Sequence, residues 1–396
     1  MENFIDNNSD QFIPYGKHHI AKEDISAVTN VLRSSYLTQG KTVPKFEEEI
    51  CHKVNSKFSV AVNSATSALH IACLALKLSK GDYLWTSPTT FVASANCGIY
   101  CGAKVDFVDI DPKTGLLSVK ELEKKLENAK KNGKLPKILI PVHLAGNPCE
   151  MEEISKLSNK FGFKIIEDAS HAIGSNYRGE SIGNCKYSDI TIFSFHPVKI
   201  ITTAEGGIAT TNDPLLAKRM KLFRSHGITK EDSDFINHSP GPWFYEQQNI
   251  GFNYRMSDIH AALGLSQLKR LDEITFYRNI ISKKYMELLY DLPLSFLEIT
   301  KDSYSSFHLV VIRLNSTNRD LHREVFIRLR EENIGVQLHY MPVHLQPYYQ
   351  KIGFKKGDFP ESEFYANNAM SLPVYYGLKE EEQLKVIKSL KKIILN

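Results

Sequence analysis

Between Phe58 and Asn212 short apolar runs rich in β-branched residues alternate with stretches whose apolar positions recur at helical spacing. The runs predict strands at Phe58–Val62, Tyr83–Thr86, Val105–Ile110, Lys137–Pro141, Lys164–Glu167, Asp189–Phe195 and Ile208–Thr211. The amphipathic stretches predict helices at Thr66–Leu78, Val119–Lys131 and Met151–Phe161. Strands separated by helices imply an α/β fold, a mainly parallel seven-stranded sheet covered by helices on both faces. After Arg255 the texture changes. Ser257–Leu292 reads as one long helical tract with Ser257 as its cap, then come a strand at Ser306–Leu314 and helices at Leu321–Glu332 and Glu380–Leu395. The expected division is a large α/β domain over 1–255 and a smaller C-terminal α+β domain over 256–396.

Composition narrows the class without naming it. A chain of 396 residues with 42% hydrophobic and 24% charged positions folds as an ordinary globular protein. Its 49 Lys and Arg against 45 Asp and Glu leave a formal charge of +4, too little for a nucleic-acid coat. The six cysteines show no paired ligand rhythm and read as reduced core thiols, and no metal site is expected. Residues 1–11 are polar and acidic rather than basic and apolar, and no window has the length of a membrane span. The expectation is a cytoplasmic protein bound to neither membrane nor nucleic acid.

Three segments carry chemistry. The run Lys164 to Glu167 delivers Asp168 to a strand end, where open α/β sheets place ligands; alone, the acid would equally fit a cap of the following helix. The next apolar run leads into His196-Pro197-Val198-Lys199-Ile200-Ile201. A lysine among such neighbours is poorly solvated, which favours the neutral, nucleophilic amine and makes Lys199 a Schiff-base candidate. Asn63-Ser64-Ala65-Thr66-Ser67 sets small hydroxylic residues at a strand-to-helix turn, which suits either a phosphate or ordinary Ser/Thr capping. An amine for an aldehyde, an acid for a pyridinium and a cup for a phosphate together match the needs of pyridoxal phosphate.

The ordered motifs extend this over almost the whole chain. Tyr36-Leu37-Thr38-Gln39-Gly40, Asn63 to Leu69, Ser87-Pro88-Thr89-Thr90-Phe91-Val92-Ala93, Glu167-Asp168-Ala169-Ser170-His171-Ala172, Ser194 to Lys199, Glu205-Gly206-Gly207, Gly251-Phe252-Asn253-Tyr254-Arg255-Met256 and His339-Tyr340 stand in sequence. In these the chain resembles the DegT/StrS sugar aminotransferases, fold-type I enzymes that use pyridoxal phosphate.

The resemblance implies that Lys199 is the cofactor-linked lysine and proton shuttle, with Asp168 on the pyridinium nitrogen. Phe91 would stack on the ring and His171 would lie near its phenolic oxygen. Ala65, Thr66, Ser194 and Asn253 would hold the phosphate, Asn253 from the second subunit of a homodimer with shared sites. Tyr15, Thr38, Arg255, His339 and Tyr340 would meet substrate. The implied substrates are L-glutamate and a UDP-linked 4-keto-6-deoxy-N-acetyl-hexosamine. Amination of a different nucleotide keto-sugar, or a non-catalytic sensor on the same fold, stays open; the family's dehydratases carry histidine where this chain has Lys199. Two departures stand out: Ala65 where many relatives have glycine, and Met341 after the His-Tyr pair.

Overall fold

The computed structural model describes residues 12–316 and 318–395, so the polar segment 1–11 lies outside the described residues. All seven predicted strands form and join one sheet. They are β1 (Phe58–Val62), β2 (Tyr83–Thr86), β3 (Lys104–Phe107), β4 (Ile138–Ile140), β5 (Lys164–Asp168), β6 (Ile190–Ser194) and β7 (Gly207–Thr211), in the spatial order β1-β7-β6-β5-β4-β2-β3. Every pairing is parallel except the two made by β7, which runs antiparallel to both β1 and β6.

Successive side chains of a strand point to opposite faces, and the core divides accordingly. Ala61, Trp85, Leu139, Ile165, Phe193 and Ile208 enter one cluster; Val60, Leu84, Ile138, Ile166, Ile192 and Ala209 enter the other. The helices Val119–Lys131 and Met151–Phe161 have the bounds that their periodicity predicts, and the helix at the cup runs Ala65–Ala75.

A third cluster gathers Tyr285, Val310, Ile312, Leu329, Leu372, Val386 and Leu390 around an antiparallel sheet of Leu294–Phe296, Val310–Leu314 and Ala369–Leu372. Ile13 joins it from the other end of the chain, while Ala261, Leu268, Leu271 and Ile274 pack into the first cluster of the large sheet. We propose to keep the two-domain division, with the helical tract after Ser257 shared between the domains.

That tract is two helices, Asp258–Leu268 and Leu271–Leu288, rather than one. Ser257 caps the first, its Oγ accepting the His260 N–H. The break falls where Gln267 and Arg270 turn onto the fully buried Asp24, whose Oδ2 accepts from both at 2.6 Å and from the Ala21 N–H at 2.8 Å. Asp24 belongs to the helix Lys22–Leu32, which with Thr42–Val54 packs on Asp258–Leu268; periodicity did not single out either N-terminal helix. Removing one partner of a buried, hydrogen-bonded pair leaves the others desolvated and unpaired. Asp24→Ala is expected to cost about 3 kcal/mol in urea unfolding, whereas Asp272→Ala, whose pair with Lys53 is largely exposed, costs less than about 1 kcal/mol.

Candidate active site

Three local structures meet at the carboxyl ends of β5 and β6. Asp168 is the last residue of β5 and is buried; its Oδ2 accepts the Ser94 hydroxyl at 2.6 Å and its Oδ1 the Ser170 N–H at 3.1 Å. Both bonds hold the carboxylate as an acceptor facing the crevice. Ser194 ends the neighbouring β6, and the chain then folds back through a tight loop to β7. The Thr202 hydroxyl and the Thr203 N–H both donate to Phe195 O, and the Ala204 N–H donates to the Thr202 Oγ1, so the Thr-rich exit knits the loop that carries Lys199.

Opposite stands the helix Ala65–Ala75, capped by Ser64, whose Oγ accepts the Ser67 N–H at 3.1 Å. As its first two residues, Ala65 and Thr66 have no carbonyl a turn earlier to receive their N–H groups, so those donors face outward with the positive end of the helix dipole. Gly207 makes the approach of β7 possible: a Cβ there would stand 2.4 Å from Ala65 N. Ala65 itself lies within the helix and has negative φ, so its methyl is accommodated without left-handed strain and the departure from glycine leaves the cup intact.

The space between is a cavity of about 440 Å³. It brings together Lys199, Ala65, Thr66, Phe91, Asp168, His171, Ser194, Tyr15, His339 and Tyr340. Thr38, Asn253 and Arg255 do not line it: Thr38 bridges Ser257, Asn253 bridges Ser225 and Arg255 bridges Val62. Met341 is half exposed beside the pocket, and His344, three residues farther on, is spent on Glu363 at 3.0 Å. Thr90, from the Ser87–Ala93 motif, also lines the cavity, and residues that the sequence did not single out reach it or its carboxylate: His308 and Gln337 line it, and Ser94 orients Asp168. Ser94 stands one residue past the Ser87–Ala93 motif, and no motif contains His308.

The electrostatics follow from burial. Desolvation pulls the Lys199 amine from the usual lysine range down to about 8, with the Asp168 carboxylate pulling the other way. Burial and the same amine hold His171 and His308 well below the ordinary histidine range and push His339 to about 3. Among the described residues no hydrogen bond or ion pair engages the Lys199 Nζ, and Phe91 exposes 58% of its surface. A free amine, an oriented carboxylate, an open aromatic face and a helix N-terminus backed by Gly207 fit the aldehyde, ring nitrogen, ring and phosphate of pyridoxal phosphate.

Residues 18–391 match the model of the DegT/DnrJ/EryC1/StrS aminotransferase family. The chain belongs to this family. It is therefore a pyridoxal-phosphate-dependent sugar aminotransferase, and its fold is the family's α/β fold-type I. Over 344 residues, 86% of each chain, it is 40% identical to the UDP-4-amino-4,6-dideoxy-N-acetyl-beta-L-altrosamine transaminase of Campylobacter jejuni. Among solved structures, Helicobacter pylori PseC, described as an aminotransferase involved in the biosynthesis of pseudoaminic acid, superposes with a TM-score of 0.88 at 33% identity, covering 97% of this chain and 99% of its own. A putative sugar aminotransferase of Streptococcus pneumoniae, Spr1654, solved in PLP and PMP forms, gives TM-scores of 0.87 and 0.88 at 27% and 28% identity, covering 97% of this chain and 99% of its own. The six cysteines are free, and among the described residues no helix is long and apolar enough to cross a membrane.

Because its proton is lost near pH 8 rather than near ~10.4, Lys199 should be labelled by an amine-selective reagent with a midpoint about two units below surface lysines. Asp168→Asn removes the charge that favours the ammonium form, so the midpoint moves lower still. Quantitative mass spectrometry of the labelled peptide across pH reads both.

Proposed function

We propose that the enzyme moves an amino group from L-glutamate to the 4-keto carbon of a UDP-linked 4-keto-6-deoxy-N-acetyl-hexosamine, giving UDP-4-amino-4,6-dideoxy-N-acetyl-β-L-altrosamine for pseudaminic acid biosynthesis. The observation that carries the transfer is the poorly solvated, partly buried Lys199 amine facing a cavity it shares with Asp168 and the N-terminus of the Ala65–Ala75 helix. The sugar assignment rests on the likeness to the Campylobacter jejuni transaminase and to PseC.

When bound, pyridoxal phosphate supplies an aldehyde that bonds amines and a ring that takes up the electron pair released as a neighbouring C–H breaks. The residues do the rest. Ala65 and Thr66 bind the phosphate through their free N–H groups, with Ser194 beside them. Asp168, held by Ser94 and Ser170, keeps the ring nitrogen protonated, and Phe91 covers the ring face. Lys199, neutral above about pH 8, would take the proton from the α-carbon of glutamate and deliver it to the carbon of the cofactor's aldehyde group, on the far side of the nitrogen. Release of 2-oxoglutarate lets the keto-sugar enter the same cavity, where Lys199 moves the proton in the reverse sense. His339 and Tyr340, which line the cavity, and Tyr15 beside His339 form the substrate wall, with ring centroids of Tyr15 and His339 5.1 Å apart.

Thr38, Asn253 and Arg255 lie off the cavity of their own subunit, and on this proposal they serve the site of a second copy in a cytoplasmic homodimer with shared sites. Incubation with glutamate and each UDP-keto-sugar epimer tests the substrate. The L-configured 4-keto sugar should be aminated at least about tenfold faster than keto-sugars of the bacillosamine or legionaminic acid type; faster amination of one of those overturns the sugar assignment. Lys199→Ala should lower turnover by about 10³-fold or more with either substrate.

A further inference from the structure

The wall of the cavity beyond Asp168 contains a chain of hydrogen bonds whose direction is set from outside the site. Ala145 has φ +62°, the left-handed region that is unfavourable for a non-glycine residue, and it holds this conformation in the turn Leu144–Gly146. The turn is clamped. The next residue, Gly146, has φ +91°, and a Cβ there would meet Ser306 Oγ at 2.6 Å and His171 O at 3.0 Å; the Ser175 hydroxyl donates to Gly146 O at 2.7 Å. The result aims the Ala145 N–H at His171 Nδ1, 3.2 Å away, while His171 Nε2 lies 3.0 Å from the Tyr340 hydroxyl.

An N–H can only donate, so Nδ1 must keep its lone pair, and a neutral ring then carries its proton on Nε2. The ring is held neutral. It is buried, Lys199 lies near it, and the His308 ring packs on it at a centroid distance of 4.3 Å. His339, Lys199 and Arg278 complete the basic groups around His171 and His308, and no carboxylate among the described residues bonds to either ring. The Nε2–H donates to Tyr340 Oη, which leaves the phenolic proton free to point elsewhere. Tyr340 lies next to Phe91, with centroids 6.1 Å apart, and within the field of Asp168.

We infer that the Ala145 amide fixes His171 as a donor at Nε2, making His171 a positioning residue for Tyr340, and that the Tyr340 hydroxyl donates to the ring oxygen of the bound cofactor. The choice of acceptor rests on the proposed placement of the ring between Phe91 and Asp168. The direction of the chain does not. Each donor in such a series strengthens the next, so the phenol is a better donor than one facing water.

Two measurements test this. In cofactor-free full-length protein labelled with ¹⁵N-histidine, with His171 assigned by its loss in His171→Gln, Nδ1 should stay unprotonated and Nε2 protonated from pH ~5 to pH ~9. A proton on Nδ1, or titration of the ring in that range, overturns the inference. In titrations with pyridoxal phosphate, Tyr340→Phe should bind at least about tenfold more weakly and shift the visible band of the bound cofactor. His171→Glu, an acceptor of the same reach as Gln, should do likewise, whereas His171→Gln, which keeps a donor, should bind within about threefold of the unaltered protein. Unchanged affinity and spectrum in Tyr340→Phe overturn the inference. Failure of the unaltered protein to bind the cofactor would instead sink the proposed site, while the histidine spectrum would still report the direction of the chain.

Discussion

Everything in the site depends on denying water to one amine. Lys199 sits on a loop whose neighbours Ile200 and Ile201 are buried, and desolvation brings its proton affinity down to about 8 against the pull of Asp168. That balance keeps the amine close enough to neutrality for the nucleophile and base proposed for it, and it fails if either side is exaggerated. More carboxylate charge would hold the ammonium form; more water would restore ordinary lysine behaviour. The threonine hydroxyls of the loop matter for this reason, because they replace the backbone partners that a solvated loop would find in water.

The fold supplies the convergence. Parallel strands end on one edge, so Asp168 and Ser194, from adjacent strands, arrive together, and antiparallel β7 returns under the helix N-terminus because Gly207 has no side chain. Charge is arranged in the same economy. The imidazoles of His171, His308 and His339 are all held neutral by burial and by the Lys199 charge, so the charge facing them across the pocket is that of Lys199 and Asp168.

Much of this was legible in the residues. The seven strands are marked by short, mostly apolar runs, because a sheet buried on both faces needs apolar side chains in both directions, and the helices Val119–Lys131 and Met151–Phe161 by clean amphipathic spacing. Lys199, Asp168 and the Ser64–Thr66 turn are local in sequence and could be read there. What escaped is what only tertiary packing creates: the pull of Asp24 that breaks the helical tract at Arg270, the hydroxyl of Ser94 on Asp168, and His308, brought onto His171 from 137 positions away in the chain. Thr38, Asn253 and Arg255, chosen by resemblance alone, do not reach the cavity of their own chain.

The proposed chemistry stands on a bond between the Lys199 amine and one aldehyde. Loading the protein with pyridoxal phosphate, reducing with borohydride and mapping the peptides measures that bond directly. The prediction is a single stable phosphopyridoxyl label on Lys199. Cofactor retained by the protein while Lys199 comes through unmodified, or a label seated on another lysine, would contradict it.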